Sequence, residues 1–349
     1  MSFLVVETLG WAWDYVQHVL IMFYWFWIPG LLAVGFLSSR YRPALEEVVY
    51  KQRRGARALL AAIGWGMTSG AGRRSSLETA KTLWARGIPD HIVLAFLVTS
   101  QNLVLYSLVL FTILIGLEFA LGVFLGGLVM IGLLRLIAPA REPGMDVPPD
   151  PQRHVMWSAP ESWAGLLGSA CGWRHVLRDI GRYVRHVGPS LVGGLIVGAL
   201  VLAIDTTGYW FFPKWMGDET VGAALAGSFL APLLSMPLFL APGGNLIVVS
   251  SIWKTWTLAY PGLISFVLMG LLNPLTARTL VRHHGNARGW GLILALYLAA
   301  ALSGLVVQGV FALLGVQVTH VPWFRELVDE LMMMFPGTML GAPGGMNGM

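Results

Sequence analysis

The sequence predicts an all-α, polytopic transmembrane helix bundle made of two inverted-topology repeats, each with a re-entrant or broken-helix hairpin. Composition is the first reason. Of 349 residues, 56% are hydrophobic and 12% are charged, and the mean hydropathy is +0.68; a soluble domain carries about 25% charged residues. The second reason is a series of apolar runs near the roughly 20 residues that cross a bilayer. The third is that Arg and Lys collect in alternate gaps between those runs, which is how a multi-pass chain encodes its orientation. The net charge of +5 therefore reports topology, and no nucleic-acid partner is expected. Membrane lipids and a small-molecule solute are the partners that this class implies. The single cysteine, Cys171, allows no internal disulfide and no thiolate cluster. Neither a metal nor a cofactor is expected.

The first repeat is assigned to residues 1–138. Its opening apolar run, 15–38, reads as a spanning helix. Glu7 and Asp14 stand where a cleavable signal peptide would be basic, so none is expected. The next run, 57–71, is too short to span and stops at Gly70-Ala71-Gly72-Arg73-Arg74, which makes 57–87 a re-entrant hairpin. Runs 91–115 and 118–138 are spanning helices. A proline-rich stretch, 139–160, opens a cytoplasmic linker that extends to residue 186. Over 173–187, Trp173, Val176, Leu177, Ile180, Val184 and Val187 share a face opposite Arg174, Arg178, Arg182 and Arg185, the pattern of an interfacial helix. The second repeat, 187–315, begins with the span 187–207. Run 221–241 is interrupted by Pro232, Pro237 and Pro242-Gly243-Gly244, which makes 221–257 the second hairpin. The spans 259–277, broken by Pro261 and Pro274, and 290–315 complete it. Residues 316–349 are assigned an interfacial helix at 323–335 and a Met- and Gly-rich tail. Met332, Met333, Met334, Met339, Met346 and Met349 are soft thioethers of the kind that takes Cu(I), but the first three more simply complete the apolar face of that helix.

Charge counting orients the whole. Arg40, Arg42, Lys51, Arg53, Arg54 and Arg57 after the first run, and Arg278, Arg282 and Arg288 after the run 259–277, place those loops in the cytoplasm. The termini and 208–219 then lie outside. With residues 39–57 and the linker on one side, 57–87 must enter and return. The same count returns 221–257 to the outside, so the second half repeats the first upside down, an arrangement of secondary transporters. The membrane implied is the inner membrane of a bacterial-type cell.

Candidate solute-binding residues are the polar groups that this plan holds inside the bilayer, where they are costly unless they face a cavity or each other. Gln101 and Asn102, in the middle of 91–115, either line a pathway or bridge helices. Thr68 and Ser69 at the first break either face the pathway or bond back to their own helix. Arg73 and Arg74 precede a helix start, where backbone N–H groups and guanidiniums can converge on an anion; the plainer reading is a pair of snorkelling residues. Ser75-Ser76-Leu77-Glu78 has capping-box spacing. Gly243 and Gly244 permit the second break, Asn245 caps the helix after it, and Ser250 and Ser251 follow on that helix. Asn273 satisfies a carbonyl freed by Pro274. Adjacent His283 and His284 point apart on a helix, which disfavours a metal site, and His91 has no evident partner.

Leu83-Trp84-Ala85-Arg86-Gly87, Ser100-Gln101-Asn102-Leu103-Val104 and Gly126-Gly127, followed in order by Gly244-Asn245-Leu246, Ile252-Trp253, Ser265-Phe266 and His283-His284-Gly285, resemble the predicted-permease family related to organoarsenical efflux permeases. The resemblance covers about residues 57–315. It implies a permease fold and solute efflux, with no enzymatic activity. Where relatives often carry cysteines at the two breaks, this chain has Gly72-Arg73 and Ala241-Pro242. Where they can carry acids in the following helices, it has Leu97 and Gly270. The resemblance therefore implies a permease lacking the thiols that suit soft metalloids. Two other readings remain open, a non-transporting membrane scaffold and a lipid-modifying intramembrane enzyme. The second lacks H-E-x-x-H, G-x-S-x-G and a buried carboxylate pair, and no P-loop lysine motif is present for ATP.

Overall fold

A computed structural model describes residues 2–69, 72–137, 163–206, 214–217, 220–238, 240, 242–255, 257–316 and 318. Every regular element among them is helical. The first half contains α1 (Ser2–Gln52), α2 (Ala56–Thr68), α3 (Arg73–Ala85), α4 (Asp90–Asn102), α5 (Leu105–Leu114) and α6 (Leu117–Ile137). The second half contains α7 (Trp163–Gly168), α8 (Ala170–Thr206), α9 (Val221–Ser235), α10 (Pro242–Lys254), α11 (Tyr260–Met269), α12 (Pro274–His284) and α13 (Asn286–Leu314). Both halves use one order: a long helix, a hairpin of two short helices, a bent pair, then a long helix. Among the described residues, four helical stretches are long and apolar enough to cross a membrane, Leu117–Leu136, Val187–Ile204, Val221–Leu238 and Asn286–Leu314. The bent pairs α4–α5 (41°) and α11–α12 (58°) bring the total to 6 if each is one span.

Small residues set the packing. In lipid, helices gain little from hydrophobic transfer and associate where small side chains let backbones approach. Gly66 of α2 lies against Phe96 and Thr99 of α4, where a Cβ would collide with both. Gly194 of α8 meets Gly244 of α10, and Gly244 in turn abuts the Ser190 carbonyl. Gly304 of α13 rests on Pro261 and Ser265 of α11, and Ser265 also donates to the Ala301 carbonyl at 3.3 Å. α6 and α13 pack on one another and both pack on α11, which joins the halves through one core.

Four sequence expectations change. First, the run 91–115 is two helices: the helix stops after Asn102, and Leu103 and Val104 intervene before α5. Gln101 and Asn102 therefore end a helix and do not lie in the middle of one. Second, 173–187 is no separate interfacial helix, because α8 runs unbroken through Pro189 to Thr206. Part of its apolar face packs on α1, where Val176 and Ile180 meet Gly35 and Trp173 meets Phe36 edge-on at 4.9 Å, while Leu177 stays exposed. Third, Pro232 sits inside α9 without ending it, so 221–238 is long enough to span. Fourth, neither cap forms as the spacing suggests. Gly72 caps α3 without a side-chain bond, Ser75 is exposed and Glu78 pairs with Lys81 at 2.8 Å. Asn245 lies inside α10, which starts at Pro242. Asn273 is a true cap: its Oδ1 accepts from Leu275 and Thr276 N–H at 2.8 and 3.1 Å, while its Nδ2 reaches the Leu271 carbonyl at 3.3 Å. The expected helix 323–335 and the methionine tail lie outside the described residues.

Candidate solute-binding site

Helix ends leave backbone groups without intrahelical partners, and three such ends meet at the C-terminal end of α11. From the start of α3, Arg73 extends its guanidinium across to the second half. Its Nη2 donates to the carbonyls of Leu240, just before α10, and Gly270, the last turn of α11, at 2.5 and 2.7 Å. From the end of α4, Asn102 donates through Nδ2 to the Leu268 carbonyl at 2.7 Å. From α10, the Asn245 amide nitrogen abuts Gly270 so closely that no Cβ fits there. The absence of a side chain at Gly270 is what admits Asn245.

The chemistry of this centre is unbalanced. Both acceptors of Arg73 are neutral, and among the described residues no carboxylate lies within ion-pair distance of it. Its Nε has no partner, and neither does the Asn245 Oδ1 or, next to Asn102, either amide atom of Gln101, all buried. Buried polar groups are ordinarily paired, and a buried charge is costly unless paired. The centre thus offers a cation, donors and acceptors in a place where each unmet group costs about 1–3 kcal/mol.

Not every sequence candidate belongs to it. Thr68 bonds back to Gly64 and Trp65 carbonyls at 3.0 and 3.2 Å and receives Ser38 on its own carbonyl, which is the structural alternative. Arg74 is exposed and Gly243 lies in the first turn of α10. Gly244 serves the α8–α10 crossing, and Ser250 is buried further along α10. Ser69, whose buried Oγ has no partner, lines a cleft of about 50 Å3 beside α1 and α8, together with Ser38, Arg42, Ser75, Tyr106 and Arg182.

Sequence reasoning missed a second polar cluster. Asp90, the first residue of α4 and 1% exposed, accepts from Arg288 Nη2 at 2.7 Å. His284 Nδ1 stands 3.9 Å from the same carboxylate oxygen, and Trp84 stacks on His283 at 4.8 Å. The signal available was slight: one acid after Gly87-Ile88-Pro89 at a helix start.

An all-helical bundle with several membrane-length helices, two bent helix pairs and unmet buried polar groups is that of a polytopic membrane protein. The chain belongs to the family described as "Predicted permease", which matches residues 9–309. It is also similar to a Mycobacterium tuberculosis (strain ATCC 25618 / H37Rv) protein named "Putative permease Rv2963", 23% identical over 290 residues, or 73% of this chain and 66% of that protein. The chain thus spans just under two thirds of that relative's length. No solved structure matches it.

Proposed function

We propose that this chain is a secondary transporter that exports a small anionic or strongly polar solute across the inner membrane of a bacterial-type cell by alternating access. The solute site is the centre formed by Arg73, Asn102, Asn245 and Gln101 at the end of α11, with Ser69, in the cleft beside α1 and α8, as an outlying contact. The domain plan is the two repeats named above, inverted relative to one another about this centre.

One observation carries the reading. Arg73 crosses from the first hairpin to the second half and finds neutral carbonyls there, so an anionic group completes its coordination. An arginine presents a planar set of donors suited to carboxylate, phosphate or related oxyanions. The shared element order of the two halves and the helix ends around the centre are what a transporter of this architecture uses.

The test is metabolite profiling of a deletion strain beside strains expressing the intact chain or Arg73→Gln. The deletion and Arg73→Gln strains should retain the same anionic solute inside the cell, with Arg73→Gln protein at normal membrane abundance. An Arg73→Gln strain that matches the intact chain would overturn the site. An unchanged profile in the deletion strain would overturn export.

A further inference from the structure

The two halves carry corresponding contacts at the ends of their hairpins. In α3, Arg73–Ala85, Trp84 is the penultimate residue, and α4 follows with Asp90 first. In α10, Pro242–Lys254, Trp253 is the penultimate residue, and α11 follows with Tyr260 first. Each of these turns touches the start of the long helix that ends the other half. Tyr260 donates to the Glu118 carbonyl at 3.1 Å, beside Phe119, whose ring lies 5.9 Å from Tyr260 and 6.4 Å from Trp253. Asp90 accepts from Arg288 at 2.7 Å, with Trp84, His283 and His284 beside it. One clasp is aromatic and unresponsive to pH near neutrality. The other is ionic.

The ionic clasp holds a contest for one oxygen. Arg288 Nη2 and His284 Nδ1 both face Asp90 Oδ2, at 2.7 and 3.9 Å. The Asp90 and His284 side chains are 2% and 0% exposed, whereas that of Arg288 is 40% exposed and has water as an alternative. The other titratable or charged groups nearby are His283 on α12, His91 on α4 and Arg135 on α6, which acts on His91. No second carboxylate among the described residues pairs with Arg288. A proton arriving at His284 gives the Asp90 carboxylate a second cation at close range. A proton on Asp90 removes the charge that Arg288 is held by.

We propose that the Asp90–His284 pair binds the coupling proton of this permease, and that a bound proton releases Arg288 and opens the clasp between the α3–α4 and α12–α13 turns. The solute is then moved against an inward proton flow. This rests on the alternating-access reading above, because only a molecule whose two ends open in turn converts a proton-sensitive clasp into coupling. The proton is transferred whole, from water to the imidazole or carboxylate and back to water, and no other reactant is involved.

The experiment uses the full chain in liposomes in a Cys171→Ser background, with a single cysteine at one of two corresponding buried positions. Ile88 and Leu258 stand two residues before Asp90 and Tyr260 and are 3% and 2% exposed. With Ile88→Cys, modification by a soluble thiol reagent, corrected for the intrinsic pH dependence of a reference thiol, should accelerate about tenfold between about pH 8 and about pH 5. Asp90→Asn should be fast throughout and independent of pH. His284→Gln should weaken the response over the same pH range. With Leu258→Cys, acidification should slow modification. A pH-independent Ile88→Cys rate, with Asp90→Asn either fast or unchanged, would overturn the proton site and leave at most a structural ion pair. A normal Ile88→Cys response with a Leu258→Cys rate that ignores pH would leave the proton-sensitive clasp standing and overturn alternating access.

Discussion

At the scale of the residue, the decisive feature is which polar atoms have partners. Gln101 is buried with neither amide atom bonded, while Asn102 beside it holds the Leu268 carbonyl. An unmet buried amide costs stability, and an apolar side chain of similar shape removes that cost. Gln101→Leu should therefore raise the melting temperature in detergent while lowering transport at least about tenfold. Asn102→Leu should lower both, because it orphans a carbonyl at a cost of about 1–3 kcal/mol. A thermal-shift assay beside a transport assay separates the two, and equal losses of stability would contradict the assignment. Cys171 is exposed, so Cys171→Ser should change stability by no more than about 0.5 kcal/mol and leave transport intact. Polarity inside an apolar run singled out Gln101 and Asn102 in the sequence, and the two helix breaks singled out Arg73 and Asn245. Asp90 was not, because its partner is 198 residues away and a contact across halves leaves no local pattern.

At the scale of the element, glycine decides where helices touch. Gly66→Ala would drive a Cβ into the Phe96 carbonyl and the Thr99 hydroxyl, and overpacking of this kind costs about 1–3 kcal/mol. Gly132→Ala, whose Cβ would meet nothing within 4 Å, is the control and should be neutral or slightly stabilising. Denaturation of the two variants side by side checks this; equal stabilities would mean that α2 and α4 are not in contact. The spans at 118–138, 187–207 and 290–315 were legible because length and hydropathy alone mark them. The merging of 173–187 into α8 was not, since a stripe that reads as membrane-facing serves equally to pack on another helix. The break after Asn102 left no mark either, because Leu103 and Val104 are ordinary helix formers or span residues.

At the scale of the whole molecule, orientation follows from charge. Ala287 in the α12–α13 region and Leu117 at the start of α6 are both exposed, and the positive-inside count puts them on opposite faces. In the Cys171→Ser background, Leu117→Cys should react with a membrane-impermeant thiol reagent in intact cells. Ala287→Cys should react only after the membrane is opened. Labelling of both from outside would contradict the inverted arrangement of the halves. The pairing of halves was legible in outline from their shared order of runs. The meeting of Arg73 with Leu240 and Gly270 was not, since side-chain reach between repeats is set by packing and has no sequence spacing of its own.

The two bent spans differ in how their joints are made. Between α11 and α12 the chain turns at Asn273, with φ −122° and ψ 168°, ahead of Pro274, and the ring of a proline bars the preceding residue from helical angles. That elbow is welded. Between α4 and α5, Val104 already has a helical φ of −63° and departs through a ψ of 133°, while Leu103 sits at −111° and 22°. Neither residue forbids a helix, so this elbow is kept bent by its neighbours and by the hydrogen bond of Asn102. Rotation about a few bonds would make α4 and α5 one straight rod and swing Gln101 and Asn102 around its axis. The molecule is thus built with one fixed knee and one that can lock, a handedness in its mechanics that the matching order of its parts conceals.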